Sequence, residues 1–359
     1  MKIGIIGLPQ VGKKTLFELL TQQKIATEEG YGDKQEVKMG VARIRDERFD
    51  RLVEMYHPER SVPATVEVIL LPKFDKESIS SGIFLKSLEK CDALCHIVRV
   101  FSDDSIFHVD GSVDPLRDIE KVFEELILSD LILVEKRLER MESDKKKGVS
   151  TPHQAKEEVI MKEMKKMLDD NKPLMNFTLS DEDKKVMSTY QFLTRKKMII
   201  VLNVNDNMIS DETLLNQAQE KYDSYGARVM QVSAKIEAEL SSLSSEEREM
   251  FLSDLNIKTS ALNRLSQLYF EALGLISFFT VGPDEVRAWI TRKNSSAPEA
   301  AGAIHSDLQR GFIRAEIMKT QELFDAGSEP ALKEQGKMLL KGKDYIVEDG
   351  DIMHVRFNV

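Results

Sequence analysis

The residues best equipped for chemistry stand near the N-terminus. Gly7-Leu-Pro-Gln-Val-Gly12-Lys13-Lys14-Thr15 follows the apolar run Lys2 to Ile6 and opens a helical pattern. Strand, glycine-rich turn, Gly-Lys pair and helix, in that order, predict a phosphate-binding loop. The backbone N–H groups of Gln10, Val11, Gly12 and Lys13 would cradle a β-phosphate, with a helix N-terminus behind them. The Lys13 ammonium would reach the β- and γ-oxygens. A ligand-free glycine turn would account for the glycines but not for the Gly12-Lys13 pair after a strand. One position departs from the pattern. The residue after that lysine is normally Ser or Thr, whose hydroxyl ligates Mg²⁺. Here it is Lys14, and an ammonium ligates no cation. Thr15 comes one residue later, about 100° further round the helix, and is expected to point elsewhere.

A second polar group, Asn203-Val-Asn-Asp206, follows the apolar run Met198 to Leu202. Its place suits the reading of a nucleobase; a plain polar loop at a strand end is the alternative. An Asp accepts from guanine N1–H and the exocyclic amine but meets another acceptor at adenine N1. Asp206 therefore tilts toward guanine, while Val204, standing where guanine readers carry a stacking lysine, tilts away. Near the C-terminus Arg287, Trp289, Arg292 and Lys293 cluster, and Trp289 is the single Trp. Exposed, such a group would stack on RNA bases; a tryptophan in a β-domain core is the competing expectation. Cys91 and Cys95, beside His96, cannot close a structural zinc site without a second pair and read as small buried hydrophobes. No catalytic residue and no metal ligand is assigned from the sequence.

These groups need a scaffold, and composition bounds it. The chain has 359 residues, enough for two or three domains. At 42% hydrophobic and 31% charged, with 18 Gly, 10 Pro and 2 Cys, it excludes disordered, collagen-like and disulfide-scaffold classes. The net charge of -10 excludes a generally basic nucleic-acid binder but leaves room for a local basic patch. Apolar stretches such as Leu275 to Val281 stop short of a bilayer span, and the N-terminus carries no cleavable signal pattern. A cytoplasmic protein without membrane contact is expected.

The chain then divides by pattern. Lys2 to Ile6, Val66 to Leu71 and Ala93 to Val100 read as strands buried on both faces, alternating with helices near Lys13 to Thr21, Glu47 to Tyr56 and Ile83 to Lys90. That alternation implies a parallel sheet. Ile119, Val122, Phe123, Leu126, Ile127, Leu131, Val134, Leu138 and Met141 recur at three and four residues, as on one long helix. After the polar tip Lys145-Lys146-Lys147-Gly148, a second helix carries Ile160, Met164, Met167 and Leu168 on one stripe. The two predict an inserted hairpin of coiled-coil type with its methionines in the core. Strands resume at Met198 to Asn203 and Arg228 to Ser233, with a helix between them. The tail carries short strands at Ile276 to Val281, Ala288 to Thr291, Gly311 to Ile317, Asp344 to Val347 and Ile352 to Phe357, with few helices. The expected ranges are 1–115 and 194–274 for an α/β nucleotide-binding domain, 116–193 for the hairpin and 275–359 for a small β-rich domain.

End to end, the chain resembles the YchF group of Obg-like ATPases, P-loop proteins of the translation-factor class. The resemblance is carried by Val62-Pro-Ala-Thr-Val-Glu67, Cys91-Asp-Ala-Leu-Cys-His96, His108-Val-Asp-Gly111, Asp114-Pro-Leu-Arg-Asp-Ile-Glu120 and Val134-Glu-Lys-Arg-Leu-Glu-Arg140. It continues through Ser233-Ala-Lys-Ile-Glu-Ala-Glu239, Phe278-Phe-Thr-Val-Gly-Pro-Asp-Glu-Val-Arg-Ala-Trp289 and Gly350-Asp-Ile-Met-His-Val-Arg-Phe-Asn-Val359. It implies a P-loop NTPase fold with a C-terminal β-grasp-like TGS domain, ATP preferred over GTP, Mg²⁺, and association with ribosomes as a monomer. On the base side it points to Asn203, Ser233, Ala234 and Lys235, with Asp206 standing where the family's Asn-x-x-Glu has its Glu.

The departures from that family fall on one function. Gln10 replaces Asn, and Lys14 replaces the magnesium-ligating Ser of Gly-x-Pro-Asn-Val-Gly-Lys-Ser-Thr. Counting back from Gly40, the switch Thr falls on Lys34. The family's Asp-x-x-Gly falls on Leu70-Leu-Pro-Lys73, followed by the shortened segment Phe74 to Gly82. Each loss touches Mg²⁺, the γ-phosphate or the attacking water. The expectation is a ribosome-associated protein that binds ATP or GTP and hydrolyses it poorly. Two alternatives stay open: a ribosome or RNA interaction module without nucleotide, and a working ATPase with an unorthodox site.

Overall fold

The structure, a computed structural model, describes residues 1–25, 37–72, 74, 83–149, 151–254 and 260–358. Lys34, Lys73 and residues 75–82, on which the switch expectations fall, lie outside the described residues. In chain order the strands are β1 (Lys2–Ile6), β2 (Lys38–Arg43), β3 (Arg60–Val62), β4 (Thr65–Leu70), β5 (Ala93–Arg99), β6 (Lys197–Asn203), β7 (Ala227–Val232), β8 (Leu275–Thr280), β9 (Glu285–Arg292), β10 (Phe312–Lys319), β11 (Leu339–Lys341) and β12 (Asp351–Phe357). The helices are α1 (Lys13–Thr21), α2 (Glu47–Tyr56), α3 (Ile83–Glu89), α4 (Pro115–Lys146), α5 (Pro152–Asp169), α6 (Asp181–Val186), α7 (Thr213–Asp223), α8 (Ala234–Ser242), α9 (Ser245–Asp254), α10 (Ala261–Leu273), α11 (Ala297–Ile304), α12 (Ser306–Arg310), α13 (Thr320–Ala326) and α14 (Glu329–Glu334). Two compact units result. One comprises Met1–Val41 and Glu67–Leu265, the other Ala42–Val66 and Ser266–Val359.

The first unit is built on a sheet of order β2-β4-β1-β5-β6-β7. From β4 to β7 the ladders are parallel, with Ile5 paired to Leu70 and to Cys95, and Arg99 to Asn203. β5 is buried at every position, as its apolar run requires of a central strand covered on both faces. Cys91 and Cys95 are buried and form no disulfide among the described residues. The parallel register brings the C-terminal ends of β1, β5 and β6 to one edge. The loops starting at Gly7, Val100 and Val204 therefore emerge side by side, the place where open α/β sheets bind ligands.

α4 and α5 form the hairpin. Asp114 accepts from the Arg117 N–H and Pro115 fills the first turn of α4, while Thr151 and Gln154 close a capping box on α5. Val134, Met141, Ile160, Met161, Met164 and Leu168 share one core with Leu174, Met187 and Phe192, so the methionine stripe packs inward. The lysine tip is solvated: Lys145 pairs with Glu158 and Lys146 with Glu142. Deeper in the hairpin, Glu157 is 2% exposed yet paired with both Nε and Nη2 of Arg137, at 2.7 and 2.8 Å.

The second unit holds a sheet of order β11-β10-β12-β8-β9-β3. Here the structure differs from the expected ranges. Residues 42–66, which run up to the start of β4, pack in this unit: β3 runs parallel to β9 with Ser61 opposite Val286, Tyr56 donates to Glu329 at 2.5 Å, and Arg48 meets Asp349 at 2.7 Å. Strand pairing is non-local, so chain position does not reveal it. Two further expectations are corrected. Asp344 to Val347 is no strand; beyond a single bridge from Ser296 to Ile346, its backbone bonds the Ser295–Ala297 turn, with Ala297 N–H on Tyr345 O and Val347 N–H on Ser295 O. Nor are helices few, since α11 to α14 lie between β9 and β11. Their signals were present in Ser296-Ala-Pro-Glu299, a capping box, and in Ser328-Glu-Pro330. Trp289 is half-buried against this unit's core, its indole N–H on Thr280 Oγ1 at 3.0 Å and the Arg287 guanidinium 4.0 Å from its ring.

Candidate functional site

Residues 7–12 turn from β1 into α1 through two positive φ angles, 57° at Gln10 and 99° at Gly12. This alternation aims successive backbone N–H groups at one concavity. Gly12 is required twice over. Its φ is one that side chains rarely adopt, and an added Cβ would lie 2.4 Å from Asn203 Nδ2. Gly7 is equally constrained: a Cβ there would lie 2.4 Å from the carbonyl oxygen of Ile97.

The loop borders a pocket of about 740 Å³. Gln10, Val11, Gly12, Lys13, Lys14 and Thr15 line it together with Asn203, Asp206, Ala234 and Lys235. Ser233 stands behind the wall: it caps α8 by accepting from Ile236 N–H, and its hydroxyl donates to Asp206 Oδ1 at 2.5 Å. Two segments almost two hundred residues apart thus meet on one cavity. Thr15 is among the residues lining the pocket. One detail differs from the sequence reading. The Lys13 ammonium turns back onto the loop, donating to the carbonyls of Gly7 and, at 2.9 Å, of Leu8.

Each polar side chain of the 203–206 turn has a distinct task. Asn203, 5% exposed, donates to Val11 O at 3.0 Å and accepts from Ala234 N–H at 3.1 Å, tying the phosphate loop to the start of α8. Asn205 accepts from Ser102 N–H at 2.8 Å. Asp206 accepts from Ser233 and, at 2.9 Å, from Lys235 Nζ. Burial alone would push the Asp206 carboxyl up; the bonds from Lys235 and Ser233 outweigh it and hold the group below the usual carboxylate range.

A third wall escaped sequence reasoning: Phe101, Ser102, Asp103 and Ile106. Arg99, 2% exposed, organises it through Nε to Phe101 O (3.1 Å), Nη1 to Ile106 O (3.0 Å) and Nη2 to Asp103 O (3.2 Å). Its guanidinium also lies 4.6 Å from the Phe101 ring. Val100 and Phe101 N–H both donate to Asn203 O, zipping this wall to the base-side turn. An arginine closing a strand that is apolar but for His96, Ala93 to Val98, was the available signal. Beneath the loop lies His96, 1% exposed, with neither ring nitrogen hydrogen-bonded among the described residues. Burial, with the nearby Lys13 charge, depresses its pKa to about 3.

A parallel sheet ending in a phosphate loop, with a separate β-rich unit at the C-terminus, can be set beside known proteins. A family model described as YchF-GTPase_C, protein of unknown function (DUF933), matches residues 275–358. The ribosome-binding ATPase YchF of Bacillus subtilis (strain 168) is 39% identical over 365 residues, covering 99% of this chain and 99% of that protein. The chain belongs to the YchF family. Human Obg-like ATPase 1 is 37% identical over 367 residues, 100% of this chain and 92% of that one. The solved structure of the Schizosaccharomyces pombe YchF GTPase superposes with a TM-score of 0.83 at 32% identity, covering 99% and 97% of the two chains. A GTP-binding protein from Pyrococcus horikoshii OT3, at TM-score 0.61 and 19% identity, shares the fold. YchF membership fixes the architecture as a P-loop NTPase fold with a TGS-like C-terminal domain. Among the described residues no helix is long and apolar enough to cross a membrane.

Proposed function

We propose that this YchF protein binds a purine nucleoside triphosphate, associates with the ribosome as a monomer, and hydrolyses the nucleotide poorly. One observation carries the reading: the phosphate loop and the Asn203–Asp206 turn line a single pocket, joined by the bond from Asn203 to Val11 O. Ribosome association rests on relatives named ribosome-binding ATPases, each matched across nearly the full length of this chain.

Poor hydrolysis rests on the residues at the phosphate end. The family implies Mg²⁺, which clamps phosphate oxygens and orients the attack when bound. The side chains here do not suit it. Lys14, which lines the pocket, carries an ammonium where a ligating hydroxyl belongs. Leu70, at the place of the family's carboxylate, is 5% exposed and paired to Ile5 in the sheet. A lysine can offset phosphate charge but cannot arrange ligands octahedrally, which favours binding over turnover. The ranges 1–115 with 194–274, 116–193 and 275–359 are kept as functional divisions: nucleotide domain, hairpin and TGS domain. Arg287, Trp289, Arg292 and Lys293 are the proposed ribosomal RNA contact of the last.

Calorimetric titration of the full chain with ATP and GTP, each with Mg²⁺ or EDTA, tests the reading alongside phosphate release and co-sedimentation with ribosomes. Nucleotide binding that survives EDTA, with negligible turnover, is expected. Turnover at the rate of ordinary relatives would overturn the impaired-site reading; absence of binding would favour the pure interaction module.

A further inference from the structure

We infer that the loop 101–114 is a protein-docking surface, and that a lysine- and arginine-rich protein segment of the ribosome seats on its Phe107 and Val109. The inference rests on the ribosome-association reading above and adds the class of partner this surface meets.

Phe107 is 74% exposed and Val109 47%, while His108 between them is buried. A single exposed apolar side chain is ordinary and needs no explanation. Here two stand together on a backbone pinned from both sides. The turn 103–106 closes with Ile106 N–H on Asp103 O at 3.1 Å, and the turn 108–111 with Gly111 N–H on His108 O at 2.9 Å. On one side the buried Arg99 guanidinium holds the carbonyls of Phe101, Asp103 and Ile106. On the other, His108 Nδ1 accepts from Asp110 N–H at 3.2 Å, so Nε2 carries the proton and donates to Asp118 Oδ2 at 2.9 Å. Asp118 is itself buried in α4 and paired with Arg117. Phe107 is thus presented to solvent in a set position before any partner arrives. Aromatic side chains are enriched at protein interfaces, and an anchor ordered in advance loses little freedom on binding.

Charge decides which class of partner fits. Residues 101–114 hold Asp103, Asp104, Asp110 and Asp114 and no Lys or Arg. Lys121 pairs with Asp110 at 2.8 Å, and Asp114 caps α4. Asp103 and Asp104 are exposed, and neither forms an ion pair among the described residues. The Ser105 N–H and hydroxyl bond to Asp103 Oδ1 and hold its carboxyl below the usual carboxylate range. An RNA strand would find a ring to stack on, but its phosphates would face these carboxylates. Lysine and arginine side chains would pair with them while an apolar neighbour covers Phe107 and Val109. The surface therefore favours basic protein over RNA.

The test uses the full chain and salt-washed ribosomes. Phe107, Val109 and Asp104 are not among the residues lining the nucleotide pocket. Phe107→Ser with Val109→Ser is expected to lower co-sedimentation at least fivefold, and Asp104→Lys at least threefold, with melting temperatures and calorimetric nucleotide binding unchanged. The photoreactive residue p-benzoylphenylalanine, placed at position 107, is expected to cross-link under light to a ribosomal protein, within a segment rich in Lys and Arg. That adduct should survive ribonuclease and be lost to protease. An adduct with RNA, with a second copy of this chain or with a segment poor in Lys and Arg overturns the assignment. So does wild-type co-sedimentation by both folded variants. Wild type that fails to co-sediment overturns the ribosome reading and this inference with it.

Discussion

The side-chain amide of Asn203 donates to the backbone carbonyl of Val11 at 3.0 Å, across 192 positions of sequence. The same side chain accepts from Ala234 N–H, so one residue holds the phosphate loop, β6 and α8 in register. The Cβ clash at Gly12 shows how close this approach is.

Asn203→Ala would leave Val11 O and the Ala234 N–H without partners in a buried setting. Each orphaned group costs about 1 to 3 kcal/mol. The expected outcome is a lower melting temperature and at least a tenfold loss of GTP affinity, about 1.4 kcal/mol. Unchanged calorimetric affinity would show that the link does not shape the pocket.

Lys14 should contribute to nucleotide affinity without metal. Its flexible stem lets the ammonium swing toward the β- and γ-oxygens, supplying part of the charge a cation would bring. Lys14→Ala is expected to weaken nucleotide binding about tenfold, equally in Mg²⁺ and in EDTA. Tight binding that depends on Mg²⁺, or indifference to the substitution, rules the role out.

The double change Lys14→Ser with Leu70→Asp restores two magnesium-handling groups. Phosphate release above the wild-type baseline is expected only with both in place. A melting curve must accompany the assay, because Leu70 is buried in β4 and an unpaired carboxylate there is costly.

His96 makes stability depend on pH. Buried neutral, it titrates near 3 in the folded chain, against 6.5 when unfolded. The depressed value means its contribution is whole above 6.5 and is lost as pH falls, because only the unfolded chain takes up the proton. Urea unfolding should show a loss approaching about 1.4 kcal/mol per pH unit below 6.5. His96→Leu should flatten the slope between pH 7 and 5.5, and a slope that persists would place its origin elsewhere.

For ribosome binding, charge reversal is a cleaner probe than truncation. Removing residues from 275 onward would strip β9 from β3 and leave Arg48 and Tyr56 without Asp349 and Glu329. Arg287→Glu with Arg292→Glu and Lys293→Glu spares that packing. Co-sedimentation with ribosomes is expected to fall at least fivefold and to become less salt-sensitive in the variant. Wild-type co-sedimentation by a folded triple variant would move the contact off this surface.

Sequence alone determined what local patterns encode. Periods of 3.6 set α1, α4 and α5, mostly apolar runs set β5 and β6, and the order of strand, glycine turn and Gly-Lys pair set the phosphate loop. Gln10 to Thr15, Asn203 and Asp206 were legible as candidates from their places after β1 and β6, and they line one pocket. Tertiary structure alone decided what depends on pairing across distance. It placed residues 42–66 beside β9, since a strand's edge hydrogen bonds carry no record of their partner in the sequence. It brought Phe101, Ser102, Asp103 and Ile106 to the pocket, because β5 lies between β1 and β6 and Arg99 folds its guanidinium onto three carbonyls. It turned Lys13 toward the loop carbonyls. And it separated Asn203 and Asn205, which join the pocket's walls, from Asp206, which lines the pocket and is held by Ser233 and Lys235; composition and spacing cannot draw that distinction, since a side chain's hydrogen-bond partners are known only once its neighbours are in place.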